Sequence, residues 1–212
     1  MKRLLDILSN ALSIILYPLF VPTYGVALFY YLYSLQVVPL ATVWMIVAII
    51  GTFVLTCAIP LSAIWILMRL GKVSNLHIDD AQERTMPFVY AILGFAAWCY
   101  LIIAILHAPL FIAFTAVGAT TSIAIVALIN SHWKISAHLT GMGGLVGGVM
   151  CYCLGIGAMP SWSTLTIWMG LSLVLMYARL RLNAHTPAQV CAGWLLGLAC
   201  TFLPYCIYSY VG

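Results

Sequence analysis

Seven apolar runs, at about residues 11–34, 41–69, 87–106, 109–130, 138–157, 161–178 and 188–210, take up most of this chain. Each is close to the length at which a helix crosses the hydrocarbon core of a bilayer, ~20 residues at a rise of ~1.5 Å apiece. In that solvent every backbone amide must find its partner within the segment, so the helix is the form such runs take. The chain is 65% hydrophobic and 6% charged over 212 residues, with a mean hydropathy of +1.14, well beyond the roughly half-apolar usage of a soluble domain. The expectation is an all-α, polytopic transmembrane helical bundle with six to seven membrane segments, residues 1–212 forming a single transmembrane domain.

The first run is the open one. Pro18 and Pro22 lie inside it, where they could kink the helix or split it into a re-entrant hairpin. The basic start Lys2-Arg3 ahead of an apolar stretch has the look of a signal peptide, but no small-x-small cleavage site follows and the apolar run goes on to full span length, so it is read as retained. The seven cysteines show no Cys-x-x-Cys spacing and all lie in apolar runs, as small core hydrophobes do. Gly141, Gly143, Gly144, Gly147 and Gly148 in the fifth run contain two small-xxx-small pairs, a pattern that lets neighbouring backbones approach closely.

Counting crossings from the N-terminus puts residues 1–10, 70–86, 131–137 and 179–187 at one side of the bundle. All eight cations, Lys2, Arg3, Arg69, Lys72, Arg84, Lys134, Arg179 and Arg181, fall there, as do all four acids, Asp6, Asp79, Asp80 and Glu83. The tendency of short cytoplasmic loops to collect Lys and Arg accounts for Lys2, Arg3, Arg69 and Lys72. It gives no reason for cations to stand beside histidines in three separate loops.

In the last of these loops Arg179 and His185 are six residues apart, which on an unbroken helix is ~600° of rotation and different faces. The chain therefore has to turn between them. Thr186-Pro187-Ala188-Gln189 reads as a helix start: Thr186 the N-cap, Pro187 the first helical residue, Gln189 the capping-box position. His185 then precedes the exposed amides of a helix N-terminus, which attracts anions and phosphate above all. Gln189 is either the partner of Thr186 in that box or the group that orients His185. The middle loop repeats the pattern, with Lys134 ahead of Ser136 as cap and His138 in the first turn of the fifth run. In "HIDDAQERTMPF" Arg84 stands at the mouth of a further helix. His132, Trp133 and Arg181 are expected among lipid headgroups and the interfacial aromatic belt, and His107 on the far side.

Together these residues resemble the type 2 phosphatidic acid phosphatase superfamily, which includes the vanadium haloperoxidases and whose signature is Lys-x6-Arg-Pro, Pro-Ser-Gly-His and Ser-Arg-x5-His-x3-Asp. Ala178-Arg179, His185 and Gln189 keep the spacing of the third element, followed by "VCAGWLLG"; Ile135-Ser136-Ala137-His138 stands for the second. The first is present as Arg84, with Pro87 displaced by two positions and His77 where the family has lysine. The resemblance covers about residues 70–200, with two crossings between successive motifs.

The resemblance implies a metal-independent, cofactor-free phosphatase acting on the phosphomonoester or diphosphate of a lipid or polyprenyl substrate. His185 would be the nucleophile, His138 the acid for the leaving alcohol, and Arg179, Arg84 and Ser136 the phosphate clamp. Lys134 is assigned the part of the missing lysine. Gln189 departs from the family's aspartate, which would fix the tautomer of His185 and stabilise its developing charge. That departure supports the alternative of a non-catalytic protein that binds or transports lipid phosphate. A second reading takes Asp79, Asp80 and Glu83 as half of a Mg²⁺-diphosphate site of the prenyltransferase kind, which needs a second acidic cluster. No nucleic-acid partner is expected. The short neutral loops fit a bacterial inner membrane, and the charge bias puts the site on the cytoplasmic face.

Overall fold

A computed structural model describes residues 2–37, 41–74, 83, 85–157 and 162–211. Among these residues there are eight helices and no strand: α1 Lys2–Ile15, α2 Val21–Gln36, α3 Thr42–Arg69, α4 Thr85–Ile105, α5 Leu110–Asn130, α6 Ala137–Ile156, α7 Trp162–Arg181 and α8 Pro187–Val211. The six from α3 to α8 are each long and apolar enough to cross a membrane. The protein is an all-α polytopic bundle, as its apolar runs require.

The prolines break the first run. Pro18 disfavours the helical conformation at Tyr17, so α1 stops at Ile15 and the chain turns, with Phe20 N–H donating to the Tyr17 carbonyl at 2.9 Å. Pro22 then sits in the first turn of α2, where its missing N–H costs nothing. No hairpin results. Asp6 meets Arg181 at the C-terminal end of α7, while Gln36 accepts from Tyr152 Oη near the end of α6, at 2.6 Å. Residues 2–36 thus run from one end of the bundle to the other, in a short amphipathic piece and a longer apolar one. Ser9, Ser13 and Leu16 form the buried side of α1, whereas Leu4, Leu8, Ile14 and Ile15 are exposed.

Pro60 lies inside α3, where it cannot donate to the residue four before it. The helix widens to a π turn over Val54–Ala58, and Ile59 N–H donates to Val54 O instead. Thr56 Oγ1 fills in locally, donating to the carbonyls of Thr52 and Leu19.

At the centre is α6, of whose apolar stretch 72% is buried against at most 33% in any other spanning helix. Its glycines explain how. A Cβ at Gly143 would meet the Trp194 carbonyl, one at Gly147 the Thr201 side chain, and, from α8, one at Gly197 the Thr140 carbonyl. α6 and α8 run parallel in backbone contact, as the small-residue spacing of α6 leads one to expect. α2 lies along another side of α6, with Gly25 against Leu145 and Phe29 against Gly148. This pairing matters for function because it places the starts of α6 and α8 side by side.

Candidate functional site

The end of α7 is a backbone turn that reverses the chain onto itself. Ala184 N–H donates to Arg179 O at 3.1 Å and Asn183 N–H to Leu180 O at 3.0 Å, with Asn183 at φ +51. This is a Schellman closure, which needs a left-handed residue that asparagine supplies more readily than most. It is the turn that the Arg179 to His185 spacing demands. α8 then starts with a reciprocal capping box: Thr186 N–H donates to Gln189 Oε1 at 3.0 Å and Gln189 N–H to Thr186 Oγ1 at 3.4 Å.

The start of α6 is tied to this corner. Ser136, fully buried, caps α6 by accepting from Leu139 N–H at 3.5 Å. Its own N–H donates to the Gln189 carbonyl at 3.3 Å. His185 Nδ1 lies 3.1 Å from the carbonyl oxygen of Lys134. A carbonyl only accepts, so Nδ1 carries the hydrogen and the neutral ring keeps its lone pair on Nε2. Burial lowers the His185 pKa to about 4, and the neighbouring Arg179 cation pushes the same way; the bond to Lys134 O opposes, the Lys134 ammonium lowers it again, and a bond to the Gln189 side chain raises it. At neutral pH the imidazole is uncharged.

Gln189 lies where it can meet both its own cap and the His185 ring. Its oxygen closes the capping box, and its side chain reaches the His185 ring. The acceptor for Nδ1, however, is the Lys134 backbone, a group every residue carries and no spacing rule reveals.

His138 lies in the first turn of α6 with Nε2 3.1 Å from the carbonyl of Ser13. Its ring makes a T-shaped contact with Tyr17 at a centroid distance of 5.5 Å and 89°. Tyr17 is also within electrostatic reach of Arg179. Among the described residues Arg179 Nε is buried with no hydrogen-bond partner, a donor position that a bound anion would satisfy. The structure thus gathers His185, Gln189, Ser136, Lys134 and Arg179 at one corner, with His138 on the adjoining turn of α6. Arg84 lies outside the described residues; the helix that follows it begins at Thr85.

Three residues at this corner carry no mark in the motifs: Asp6, Ser13 and Tyr17. The trace they leave is the spacing Ser9, Ser13, Leu16, one buried stripe on a short helix, followed at once by a proline-forced turn. Arg181 pairs with Asp6 at 2.9 Å and links α1 to the end of α7. His132 bonds its neighbour Ser131 at 2.6 Å, Trp133 is exposed, and His107 lies at the opposite end, after α4. Glu83 accepts from Ser74 N–H and Oγ, both at 2.8 Å; Asp79, Asp80 and His77 lie outside the described residues. Among the described residues no cluster of three His, Cys, Asp or Glu side chains is placed to hold a metal.

Beside the corner, between α2, α4, α5 and α6, is a largely apolar cleft of about 690 Å³ including its open mouth. Pro18, Ala137 and Val126 line it toward the site end, and Phe29, Ile112 and Leu145 line it deeper. No protein-family model, no curated protein and no solved structure matches the chain.

Proposed function

We propose that this protein is a lipid phosphatase of the type 2 phosphatidic acid phosphatase kind, acting on the phosphomonoester or diphosphate of a lipid or polyprenyl substrate without a metal or cofactor. The observation that carries the reading is His185: neutral, held through Nδ1 by the Lys134 carbonyl, and set beside the Arg179 guanidinium and the start of α8. A phosphoryl group needs its equatorial oxygens neutralised and a nucleophile in line with the leaving group. Arg179, Lys134 and the amides at the two helix starts supply the first, and Nε2 of His185 supplies the second.

In the first step Nε2 bonds to phosphorus, the bond from phosphorus to the ester oxygen breaks, and His138 delivers a proton to that oxygen. Water then attacks the phosphohistidine, the P–N bond breaks, His138 takes the water proton, and orthophosphate leaves. The apolar cleft, lined by Ala137 next to Ser136, suits the hydrocarbon tail of the same substrate, because it offers surroundings as apolar as the bilayer the tail leaves. We place the cation-rich end, and with it the site, at the cytoplasmic face of a bacterial inner membrane.

Gln189 favours a second reading. Position 189 holds an uncharged amide where the family has the aspartate that stabilises charge on the histidine, and loss of that group costs about 10⁴ in rate in the serine-protease triad. A protein of this kind would bind or transport lipid phosphate without cleaving it.

The deciding experiment is inorganic phosphate release by the purified protein in detergent with EDTA, from phosphatidic acid, phosphatidylglycerol phosphate and undecaprenyl diphosphate, with His185→Ala alongside. Release that survives EDTA and vanishes in the variant supports the phosphohistidine route. A silent parent that binds lipid phosphate and gains release as Gln189→Asp supports the second reading.

A further inference from the structure

We propose that Tyr17 is a positioning residue of this site, its ring fixing the His138 imidazole at the angle from which it meets the leaving oxygen. The inference rests on the phosphatase reading and adds to it a part of the chain, the N-terminal segment, that none of the three motifs includes.

The argument begins with what holds His138. An imidazole in the first turn of a helix can rotate about two bonds, so one hydrogen bond leaves its plane undetermined. The Ser13 carbonyl takes Nε2 at 3.1 Å and fixes one end of the ring. Tyr17 makes a T-shaped contact with the same ring at 89° and 5.5 Å, within the range where edge-to-face pairs attract. These two contacts come from different directions, so together they restrain the ring more than either does alone. With Nε2–H donating to the Ser13 carbonyl, the nitrogen that serves the leaving oxygen is Nδ1, which carries a proton only in the imidazolium form and becomes the base for water once that proton is given up. That is a geometric requirement of the kind in which a 1 Å displacement costs up to ~10²-fold.

The position of Tyr17 is built rather than incidental. It occupies the turn between α1 and α2, where Pro18 excludes helix. α1 is anchored on the other side of the site by the Asp6–Arg181 pair, and Leu16, next to Tyr17, is buried in a cluster with Leu139, Met142, Leu175 and Val190. Tyr17 also sits within reach of the Arg179 charge. One side chain thus adjoins both the acid and the phosphate clamp of the proposed reaction.

The test uses the full chain in detergent, with Tyr17→Phe and Tyr17→Ala first shown to be monodisperse and to melt within a few degrees of the parent. Phosphate release from dioleoyl phosphatidic acid with EDTA is measured over substrate concentration. The expected result is a kcat at least tenfold lower in Tyr17→Ala with KM little changed, and a Tyr17→Phe near the parent, because the ring and not the hydroxyl does the positioning. Equal kcat in parent and Tyr17→Ala overturns the proposal, as does an equal loss in both variants or a change confined to KM.

If the parent releases no phosphate from any substrate, the phosphatase reading fails, and the ring contact is read directly. In protein carrying ring-labelled histidine, the His138 resonances should keep one set of positions in parent and Tyr17→Phe and shift or broaden in Tyr17→Ala. Unchanged His138 signals in Tyr17→Ala overturn the positioning role independently of catalysis.

Discussion

A histidine that attacks phosphorus must present a lone pair, and in water at neutral pH a share of any such ring is protonated. His185 escapes this because burial and two cations lower its pKa from 6.5 to about 4. In the proposed reaction the unprotonated ring of His185 attacks, so the acid limb of kcat/KM that belongs to this residue should lie near 4 and not at the ordinary histidine value. Arg179→Gln removes a cation that lowers the pKa, and the acid limb should move upward. A limb at the ordinary histidine value in the parent would sink the assignment. Stability has the same sign: between 6.5 and about 4 the unfolded chain binds a proton at residue 185 that the folded chain refuses, so the fold weakens as pH falls across that window. Thermal melts of the parent should show this slope, and His185→Gln should reduce it.

Gln189 separates two roles at the same scale. Because Nδ1 of His185 has the Lys134 carbonyl as its acceptor, Gln189→Ala should lower kcat by less than tenfold. The same change opens the capping box with Thr186 and should cost ~0.5–1 kcal/mol in stability, seen as a lower melting temperature. A kcat loss of a hundredfold or more would show instead that the amide orients the ring.

Among the elements, the decisive contact is α6 on α8, since it sets Ser136 beside Gln189 and the Lys134 carbonyl beside His185. Gly197→Ala puts a methyl group into the Thr140 carbonyl, with backbone and no flexible side chain to yield. It should lower stability by ~1–3 kcal/mol and phosphate release with it, as the two helix starts are levered apart. Gly170 on α7 has open space around its Cβ position, so Gly170→Ala should leave activity unchanged and gain up to ~1 kcal/mol from helix propensity. Melting temperatures of the two variants against the parent measure both.

What could be read from the chain follows from how locally each element is determined. Arg179, His185, Thr186 and Pro187 lie within one turn and a cap, and their spacing announces that turn, though not that Asn183 is its left-handed residue. Ser136 as a cap and the glycines of α6 are local in the same sense. The Ser13 carbonyl on His138 is 125 residues away in sequence, and no composition rule announces it. Backbone acceptors such as Lys134 O are equally silent, because every residue has one. The break at Pro18 was visible; whether the chain then turned back or went on was not, since that depended on α2 finding a side of α6.

At the scale of the whole molecule the charges decide orientation. Lys2, Arg3, Arg69, Lys72, Lys134, Arg179 and Arg181 all belong to one end, where α1 begins, α3 and α7 finish and α6 and α8 start. The opposite end, where α2, α4, α6 and α8 finish, has no Lys or Arg among its described residues. In a bacterial inner membrane such an asymmetry holds the cationic end in the cytoplasm, because short basic loops resist export while neutral ones pass. α8 runs away from the site and reaches Val211 at the far end, so a reporter fused after residue 211 samples the other side of the membrane. Expressed in a bacterium, a C-terminal alkaline phosphatase fusion should be active and a C-terminal green fluorescent protein fusion dark. Placing several lysines in the 106–109 connection while replacing Lys2, Arg3, Arg69 and Lys72 by glutamine should weaken or invert that pattern. A bright green fusion on the parent would put the site outside the cell, and substrates would then have to reach His185 from the outer leaflet.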